Sequence, residues 1–177
     1  MQHEITITTA VAGNASLLAQ LGKQTFVESH GPSAAQQVIE EYTARNYTTT
    51  VFDSLIKDAT NLIYILNVGT KAAGYSMMKV NAPHPQIASS NVAKLDRLYL
   101  LKEFHDLKLG WRLLQFNISL AKSQQQNAMW LYAWKGNERA VNFYKKAGFE
   151  IIGSHDFKLT ETHANPNHLM LLEFSSF

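Results

Sequence analysis

Residues 102–111 form a segment whose residue types and position are typical of an anion-binding site. The segment reads Lys102-Glu103-Phe104-His105-Asp106-Leu107-Lys108-Leu109-Gly110-Trp111 and lies between a predicted strand and a predicted helix. The first turn of a helix offers unpaired N–H groups and a partial positive charge, which together suit a pyrophosphate. Lys108 and Arg112 add formal charge at this point. The spacing alone fits an ordinary strand–helix turn with solvated lysines equally well.

A second segment, residues 137–149, also follows a predicted strand. It reads Asn137-Glu138-Arg139-Ala140-Val141-Asn142-Phe143-Tyr144-Lys145-Lys146-Ala147-Gly148-Phe149. Gly148 suits the C′ position that ends a helix, so we expect a short helix here. Asn137 is a favourable N-cap for that helix. Tyr144 lies at helical spacing from the alanines of the segment, which is also the pattern of a residue that only packs in the core.

Together the two segments resemble the acyl-CoA-binding motifs of the GNAT superfamily of N-acetyltransferases. The first family motif, Q/R-x-x-G-x-G/A, is present in degenerate form, with His105, Lys108 and Gly110 at its three defined positions. The second, N-x-x-A-x-x-F-Y-x-x-x-G-F, matches without a gap at Asn137, Ala140, Phe143, Tyr144, Gly148 and Phe149. Within the superfamily the sequence is most similar to the polyamine (spermidine/spermine) acetyltransferases, particularly the PaiA-like branch. The likeness is close over residues 95–157.

The resemblance implies acetyl-CoA as cosubstrate and no metal. It implies that the following residues bind the cofactor: Leu98, Tyr99 and Leu100 along the pantetheine arm; His105, Asp106, Leu107, Lys108, Leu109, Gly110 and Trp111 around the pyrophosphate; and Asn137, Ala140 and Tyr144. Tyr144 is implied as the acid that protonates the leaving thiolate, and its ordinary pKa of about 10 is compatible with that role. Asp96 is implied as the base for the acceptor ammonium. A strand residue paired with Lys94 or Arg97 explains Asp96 equally well.

Three residues depart from the family pattern. Lys108 replaces a glycine whose missing side chain lets a phosphate approach the backbone, and Asp106 places a negative charge beside an anion site. The Lys108 side chain either contacts the phosphate directly or narrows the site. Asp96 is one methylene shorter than the glutamate usual in polyamine enzymes. We expect coenzyme A binding to be retained despite these changes.

Hydrophobic periodicity predicts the elements that must position these residues. Strands are expected at 5–8, 61–66, 73–80, 93–101, 128–134, 149–158 and 168–174, and helices at 14–28, 33–45, 51–58, 109–126 and 137–147. Ser33 is expected to cap the second helix. The alternation of strands and helices in the second half favours an α/β or α+β sheet. The resemblance implies an α+β fold: a central, mostly antiparallel, splayed sheet of six to seven strands with about four flanking helices.

Composition limits the classes of protein that remain. The 177 residues are 46% hydrophobic, which is enough for one sizeable core, so we expect a single domain over residues 1–177. The absence of cysteine excludes a disulfide scaffold and a cysteine nucleophile. His84, His105, His155, His163 and His168 show no metal-ligand spacing. Neither a signal peptide nor an apolar run of about 20 residues is present, so we expect a soluble, cytoplasmic protein that does not bind membranes.

The net charge of +2 is unevenly distributed. Residues 97–146 hold nine basic and three acidic residues, a local charge of +6, which coincides with both motifs. The rest of the chain sums to −4, and acids such as Glu28, Glu40 and Glu41 would suit a cationic acceptor, although a solvated helix face explains them as well. We therefore expect a basic cofactor site next to a more acidic acceptor site.

These patterns favour direct acetyl transfer to a primary amine of a small acceptor, with polyamines among the candidates. The alternative is a non-catalytic acyl-CoA-binding or regulatory domain. The departures from the family motif at Lys108 and Asp106 are the reason to consider it. A nucleic-acid binder would need aromatic residues interleaved with the basic ones on an exposed face, so we expect no nucleic-acid partner. A homodimer remains open because members of the superfamily often dimerise.

Overall fold

The structure is a computed structural model that describes residues 4–174. Seven strands form one sheet in the order β1-β2-β3-β4-β5-β7-β6. The strands are β1 (Ile5–Thr9), β2 (Asn61–Val68), β3 (Lys71–Lys79), β4 (Val92–Leu100), β5 (Ala128–Trp134), β6 (Glu150–Lys158) and β7 (Ala164–Glu173). The helices are α1 (Ala15–His30), α2 (Gln36–Asn46), α3 (Thr49–Lys57), α4 (Leu109–Ser123) and α5 (Glu138–Lys146).

The expected fold class is confirmed. All neighbouring strands are antiparallel except β4 and β5, which are parallel. Within residues 4–174 the structure has seven strands and five α-helices, which are the five helices that periodicity predicts and one more than the resemblance implies. β7 begins at Ala164, four residues before the predicted start, because its first part forms a hairpin with β6 in which Ala164 lies opposite Lys158.

Helices cover both faces of the sheet. On one face, Met129, Leu131 and Ala133 of β5 pack in a hydrophobic cluster with residues of α4 and α5. On the other face, Ile63 and Ile65 of β2 pack with residues of α1, α2 and α3. Side chains of a strand alternate between the two faces, so each of these strands contributes to two separate cores.

β4 contains one residue more than the stretch of β3 with which it pairs. Arg97 lies opposite Met77 and Leu95 lies opposite Met78, so Asp96 has no partner on β3 and forms a β-bulge. A one-residue insertion moves the following side chains to the opposite face of the sheet. Two consecutive residues, Asp96 and Arg97, can therefore point toward the same side.

The packing around the bulge shows that the side chains change faces there. Before it, Ala93 and Leu95 pack in the cluster with α4 and α5. After it, the even-numbered Leu98 packs in that cluster, whereas Tyr99 packs in the cluster with α1, α2 and α3. The bulge thus turns the end of β4 so that its odd-numbered residues face α1 and α2.

The parallel pairing of β4 and β5 is short. It joins only Val92, Ala93 and Lys94 to Ala128, Met129 and Trp130. From the bulge onward the two strands diverge, while β4 stays paired with β3 as far as Leu100. The sheet is therefore splayed between β4 and β5, as expected.

The predicted helix cap at Ser33 is wrong. α2 begins at Gln36 with Ala35 at the N-cap position, and Ser33 lies in a short 3-10 turn before it. The Ser33 hydroxyl instead accepts a hydrogen bond from Nδ2 of Asn165 at 2.8 Å. The Ser33 side chain, which the local sequence predicts as a helix cap, is therefore used in a tertiary contact with β7.

The tight contact between β3 and β4 at Gly74 leads to a stability prediction. A Cβ on Gly74 would overlap the carbonyl oxygen of Tyr99 and the side chain of Leu100. We expect Gly74→Ala to lower the free energy of unfolding by about 2 kcal/mol or more, because backbone atoms cannot yield cheaply. Gly13→Ala is the matched control, since a Cβ there meets no atom within 4 Å. Urea denaturation measures both, and equal stabilities of the two variants would contradict the prediction.

Candidate active site

The splay exposes a row of backbone groups on β4. The N–H of Leu101 donates to the Ala73 carbonyl of β3 at 2.9 Å, and groups along a strand alternate between its two neighbours. The backbone groups of Leu98 and Leu100 consequently face the gap toward β5. Consistent with this, Nε2 of His105 lies 3.3 Å from the carbonyl oxygen of Leu100. This edge of β4 is available to an extended ligand.

The N-terminus of α4 lies at the Leu100 end of the gap. The Cα of Gly110 is close enough to β4 that an added Cβ would lie 3.4 Å from the Leu100 side chain. Arg112 makes the first hydrogen bond of the helix by donating its N–H to the Lys108 carbonyl at 3.1 Å. The N–H groups of residues 109–111 therefore have no partner within the helix, as expected for a first turn. They form an anion-binding arrangement.

Two non-glycine residues before α4 have left-handed backbone conformations. Asp106 has a φ of 66° and Lys108 a φ of 58°. Such conformations favour glycine and cost a residue with a side chain on the order of 1 kcal/mol. Lys108 occupies the position at which the family motif has its first glycine, so the loop keeps the shape of the motif without the residue that favours it.

The negative charge of Asp106 is paired with a residue of the second motif. Arg139 in α5 donates through Nη2 to the Asp106 carboxylate at 2.9 Å. Arg112, in contrast, donates to the backbone carbonyl of Ile5 at 3.1 Å. The carboxylate therefore does not stand alone beside the anion-binding turn, and it links the two motifs across the gap.

Asn137 and Tyr144 occupy distinct environments on α5. Oδ1 of Asn137 accepts a hydrogen bond from the Ala140 N–H at 3.1 Å, so its side chain caps the helix. Tyr144 is 9% exposed, and its ring packs edge-on against the rings of Phe143 and Phe149. Burial raises the pKa of Tyr144 well above its ordinary value. The hydroxyl is therefore protonated at every pH at which the protein is handled.

A cavity of about 230 Å³ lies on the face of β4 that the bulge turns toward α1 and α2. It is lined by Phe26, His30, Tyr42, Tyr47, Lys94, Leu95, Asp96, Arg97, Tyr99, Tyr132, Phe157, Asn165 and Asn167. Most of these side chains are aromatic, and they come from both halves of the chain. The cavity and the gap share Tyr99 of β4, so a ligand in the cavity can meet a ligand along β4 there.

The charged groups of the cavity are clustered at the bulge. Nζ of Lys94 lies 2.6 Å from Oδ1 of Asp96, and Nε of Arg97 lies 3.9 Å from Oδ2. The structure thus forms both of the ion pairs that the sequence offered as an alternative explanation of Asp96, and it also places Asp96 in the cavity wall.

The acidic helix residues do not contribute to this cavity. Oε1 of Glu40 and Oε1 of Glu41 accept hydrogen bonds from Gln36 and Gln37, one turn earlier on α2. Glu28 accepts the backbone N–H of Lys102 at 2.7 Å. Among the acidic residues that the structure describes, Asp96 is the one that lines the cavity. The expected acidic acceptor site is therefore not formed.

His30, which the sequence did not single out, is positioned between the two diverging strands. Its ring stacks on Phe26 at 4.6 Å and lies 6.0 Å from the ring of Tyr99 and 5.8 Å from that of Trp134. Burial lowers its pKa to about 4, so the imidazole is uncharged at neutral pH. No local sequence signal marks this residue, because its neighbours come from β4 and β5.

The hydrogen bonds of His30 indicate its tautomer. The Ser29 hydroxyl lies 2.8 Å from the Thr25 carbonyl, to which it donates. Its lone pairs are then left to accept from Nδ1–H of His30 at 2.7 Å. In this tautomer Nε2 carries a lone pair, so His30 can accept a proton or a hydrogen bond from a group in the cavity.

Two further classes of site have no counterpart in the described part of the chain. Within residues 4–174 no three histidine, aspartate or glutamate side chains are grouped as metal ligands. Over the same residues no helix has the length and apolar character needed to cross a membrane.

Residues 26–149 match the Acetyltransferase (GNAT) family. Because this match spans well over half of the chain, the protein belongs to the GNAT family and is an acyltransferase of the N-acetyltransferase type. An uncharacterised N-acetyltransferase of Mycobacterium bovis is 26% identical over 160 residues, which are 90% of this chain and 97% of that protein. An uncharacterised N-acetyltransferase from the pepI 3′ region of Lactobacillus delbrueckii subsp. lactis is 24% identical over 139 residues, or 78% and 80% of the two chains.

Solved structures share the fold over nearly the whole chain. The PaiA N-acetyltransferase of Thermoplasma acidophilum, in complex with coenzyme A, superposes with a TM-score of 0.79 at 19% identity and covers 97% of this chain and 99% of its own. The ribosomal-protein-S18-alanine N-acetyltransferase of Escherichia coli superposes with a TM-score of 0.69 at 17% identity, covering 98% and 96%. At such identities the likeness establishes the fold.

The buried imidazole of His30 leads to a pH-dependent stability. Its pKa is about 4 in the folded protein and near 6.5 when exposed, so the unfolded chain binds more protons between these values. This contribution is fully present above pH 6.5 and is lost as the pH falls toward 4. Between pH 7 and 4.5 we expect the wild type to lose about 2 kcal/mol more unfolding free energy than His30→Gln does.

Urea denaturation at the two pH values measures this difference. Gln20→Ala, which changes an exposed, uncharged residue of the same helix, is the control and should lose as much stability on acidification as the wild type. Parallel losses in the wild type and in His30→Gln would show that His30 is not the group responsible.

Proposed function

We propose that the protein transfers the acetyl group of acetyl-CoA to a primary amine of a small acceptor. The observation that carries this proposal is the gap between β4 and β5. It exposes the backbone of Leu98 and Leu100, it begins beside the cavity at Asp96, and it ends beside the first turn of α4. A long, extended, anionic ligand can therefore lie along β4 with one end at the cavity.

The residues along the gap fit acetyl-CoA. The backbone of Leu98, Tyr99 and Leu100 offers a strand edge to the amide-containing arm, and the N–H groups of residues 109–111 suit a pyrophosphate. The Thermoplasma protein with this fold binds coenzyme A, which supports the same assignment here. When bound, acetyl-CoA supplies the acetyl group as a thioester whose C–S bond breaks as the amine nitrogen forms a C–N bond to the carbonyl carbon.

The remaining cofactor residues are proposed to act around that pyrophosphate and arm. His105, Asp106, Leu107 and Lys108 form the loop before α4, and the pairing of Asp106 with Arg139 joins the loop to α5. Asn137 uses Oδ1 for the helix cap, so its Nδ2 is the group left for a carbonyl of the arm. Ala140 presents a small side chain to the same region.

Tyr144 is proposed to act at the leaving sulfur. Burial raises the pKa of Tyr144. Its hydroxyl is therefore a weaker acid than the thiol of coenzyme A, and full proton transfer to the leaving thiolate is unfavourable. A hydrogen bond that stabilises the negative charge developing on sulfur is therefore the main contribution we assign to it. The electrostatic interaction of Tyr144 with Tyr99 supports this assignment, since Tyr99 belongs to the end of β4 along which the arm would lie.

Asp96 and His30 are the two groups that can receive the proton lost by the acceptor ammonium. Asp96 is the base implied by the sequence, and it lines the cavity. Its charge is partly compensated by Lys94 at 2.6 Å. His30 is uncharged at neutral pH and has a free lone pair on Nε2. We propose that the proton leaves through Asp96, with His30 hydrogen-bonded to the amine.

A non-catalytic acyl-CoA-binding domain is the second candidate, and one observation favours it. Lys108 takes the strained backbone conformation of a motif glycine and places a side chain where a phosphate would approach. Binding of the cofactor without turnover on any amine would identify this class.

Cofactor binding is tested first by calorimetry with acetyl-CoA. Because the exposed Lys108 side chain stands at the anion-binding turn, we expect Lys108→Ala to weaken binding by about three- to tenfold, with a smaller effect at high salt. Lys23→Ala, which removes an exposed lysine on α1, is the matched control. No binding by the wild type at millimolar acetyl-CoA would overturn the proposed function, and equal affinities of the two variants would remove Lys108 from the phosphate site.

Turnover is tested by amine-dependent release of coenzyme A. We expect Tyr144→Phe to lower kcat by about 100-fold with little change in cofactor affinity, since the hydroxyl acts mainly on the developing charge. Tyr64→Phe is the control, because Tyr64 packs on Phe116 away from the cavity. An unchanged kcat in Tyr144→Phe would contradict the role of this hydroxyl.

A further inference from the structure

We propose that the acceptor amine also carries a carboxylate, which Arg97 and Lys94 bind in the cavity beside the bulge. The proposal rests on the proposed function, and it names the class of acceptor as amino acids or close relatives rather than polyamines. Three properties of the cavity support it: the balance of charge, the weak charge compensation of Arg97, and an unpartnered oxygen of Asn167.

The cavity wall has more positive than negative charge. Lys94 and Arg97 are cations, Asp96 is the one described carboxylate in the wall, and His30 is uncharged because burial lowers its pKa to about 4. The wall thus has a formal charge of +1 at neutral pH. A ligand with a negative group balances this charge, whereas a polycation increases it.

The guanidinium of Arg97 is poorly compensated within the protein. Its side chain is only 16% exposed, and the group beside it, the fully buried hydroxyl of Tyr75, is neutral and does not balance its charge. The nearest carboxylate oxygen, on Asp96, is 3.9 Å from Nε of Arg97, which is too far for a hydrogen bond. The Asp96 carboxylate also forms the closer ion pair with Lys94. A buried cation in this state is costly until an anion reaches it.

Aromatic rings fix the guanidinium and leave its edge as the binding surface. Arg97 lies over the rings of Tyr47 at 5.1 Å and Phe52 at 5.4 Å. Rings cover the flat faces of a guanidinium, while its N–H donors point outward in the plane. Those donors match a carboxylate, which accepts two parallel hydrogen bonds from arginine.

The same ring contacts reduce the room for a second ammonium group of a polyamine. Aromatic faces attract cations, but Lys94 already lies over the rings of Trp130 and Tyr132, at 5.2 and 5.7 Å. Together with Arg97 over Tyr47, the protein's own cations occupy the ring faces of two aromatic residues of the wall, Tyr132 and Tyr47.

Asn167 of β7 supplies an independent sign of a polar ligand. It is 7% exposed, it lines the cavity, and its Oδ1 is buried without a hydrogen-bond partner. Buried polar atoms are nearly always paired in native proteins, so a vacant acceptor at a cavity wall points to a donor on the ligand. The amino group of the acceptor is such a donor. An amino acid can place its amino group near Asn167 and its carboxylate at Arg97, because both residues line the same cavity.

Matched pairs of acceptors test the proposal in the full-length protein. Phenylalanine is compared with phenylalaninamide and lysine with lysinamide, and spermidine is included as the polycation. Calorimetry on the protein alone measures binding of each compound, and release of coenzyme A measures turnover. The binding arm does not depend on acetyl transfer, so failure of the proposed function (binding without turnover) is distinguishable from failure of this inference.

Three variants test which residues produce the preference for a carboxylated acceptor. Arg97→Gln removes the guanidinium, and Lys94→Gln removes the second cation of the cavity wall, which keeps the test decisive if Arg97→Gln does not fold. Lys158→Gln removes an exposed lysine of β6 that does not line the cavity. We expect the wild type and Lys158→Gln to prefer the carboxylated member of a pair by about 10- to 100-fold.

The same preference should fall by tenfold or more in Arg97→Gln and in Lys94→Gln. Tighter binding of spermidine or of the amides than of the amino acids by the wild type would overturn the proposal. So would a carboxylate preference that both cavity variants retain, and so would the absence of binding by every compound at millimolar concentration.

Discussion

The geometry of this protein depends on the inability of β4 to remain in register with both of its neighbours. The extra residue at Asp96 bends the strand at the point where its pairing with β5 ends, after Lys94. One local irregularity therefore opens the gap and also turns Arg97 and Tyr99 toward α1. A regular strand of the same length would pair with β5 throughout and would bury the backbone edge on which the proposed cofactor site depends.

The sequence predicted most elements because each carries a strong local signal. Alternating side chains predicted β5 with both of its bounds, 128–134. Gly148, with a φ of 97°, ends α5 at the expected place. The gap-free match over residues 137–149 indicated the family, which in turn implied the splay. None of these inferences needed a contact between distant parts of the chain, which is why they were within reach of the sequence.

What the sequence could not predict arises from contacts between distant residues. The sequence presents Asp106 as an unfavourable charge, yet Arg139 pairs with it across 33 positions. Ser33 is a good helix cap by type, but Asn165 of β7 uses its hydroxyl. His30 and Arg97 show no motif, because their unusual states come from aromatic side chains of α1, α3, β3, β4 and β5 and from Tyr47 between α2 and α3. The cavity was therefore the least predictable part of the molecule.

The strand order has a consequence for the biosynthesis of the enzyme. β6 is made before β7, yet in the sheet that the structure describes β7 is its only strand partner and lies between it and β5. While residues 164–173 are still inside the ribosomal exit tunnel, β6 has nothing to pair with in that sheet. The cavity at that stage also lacks the wall formed by Asn165 and Asn167. The cavity is therefore completed only after β7 has left the ribosome, later than the gap between β4 and β5, whose strands are made first.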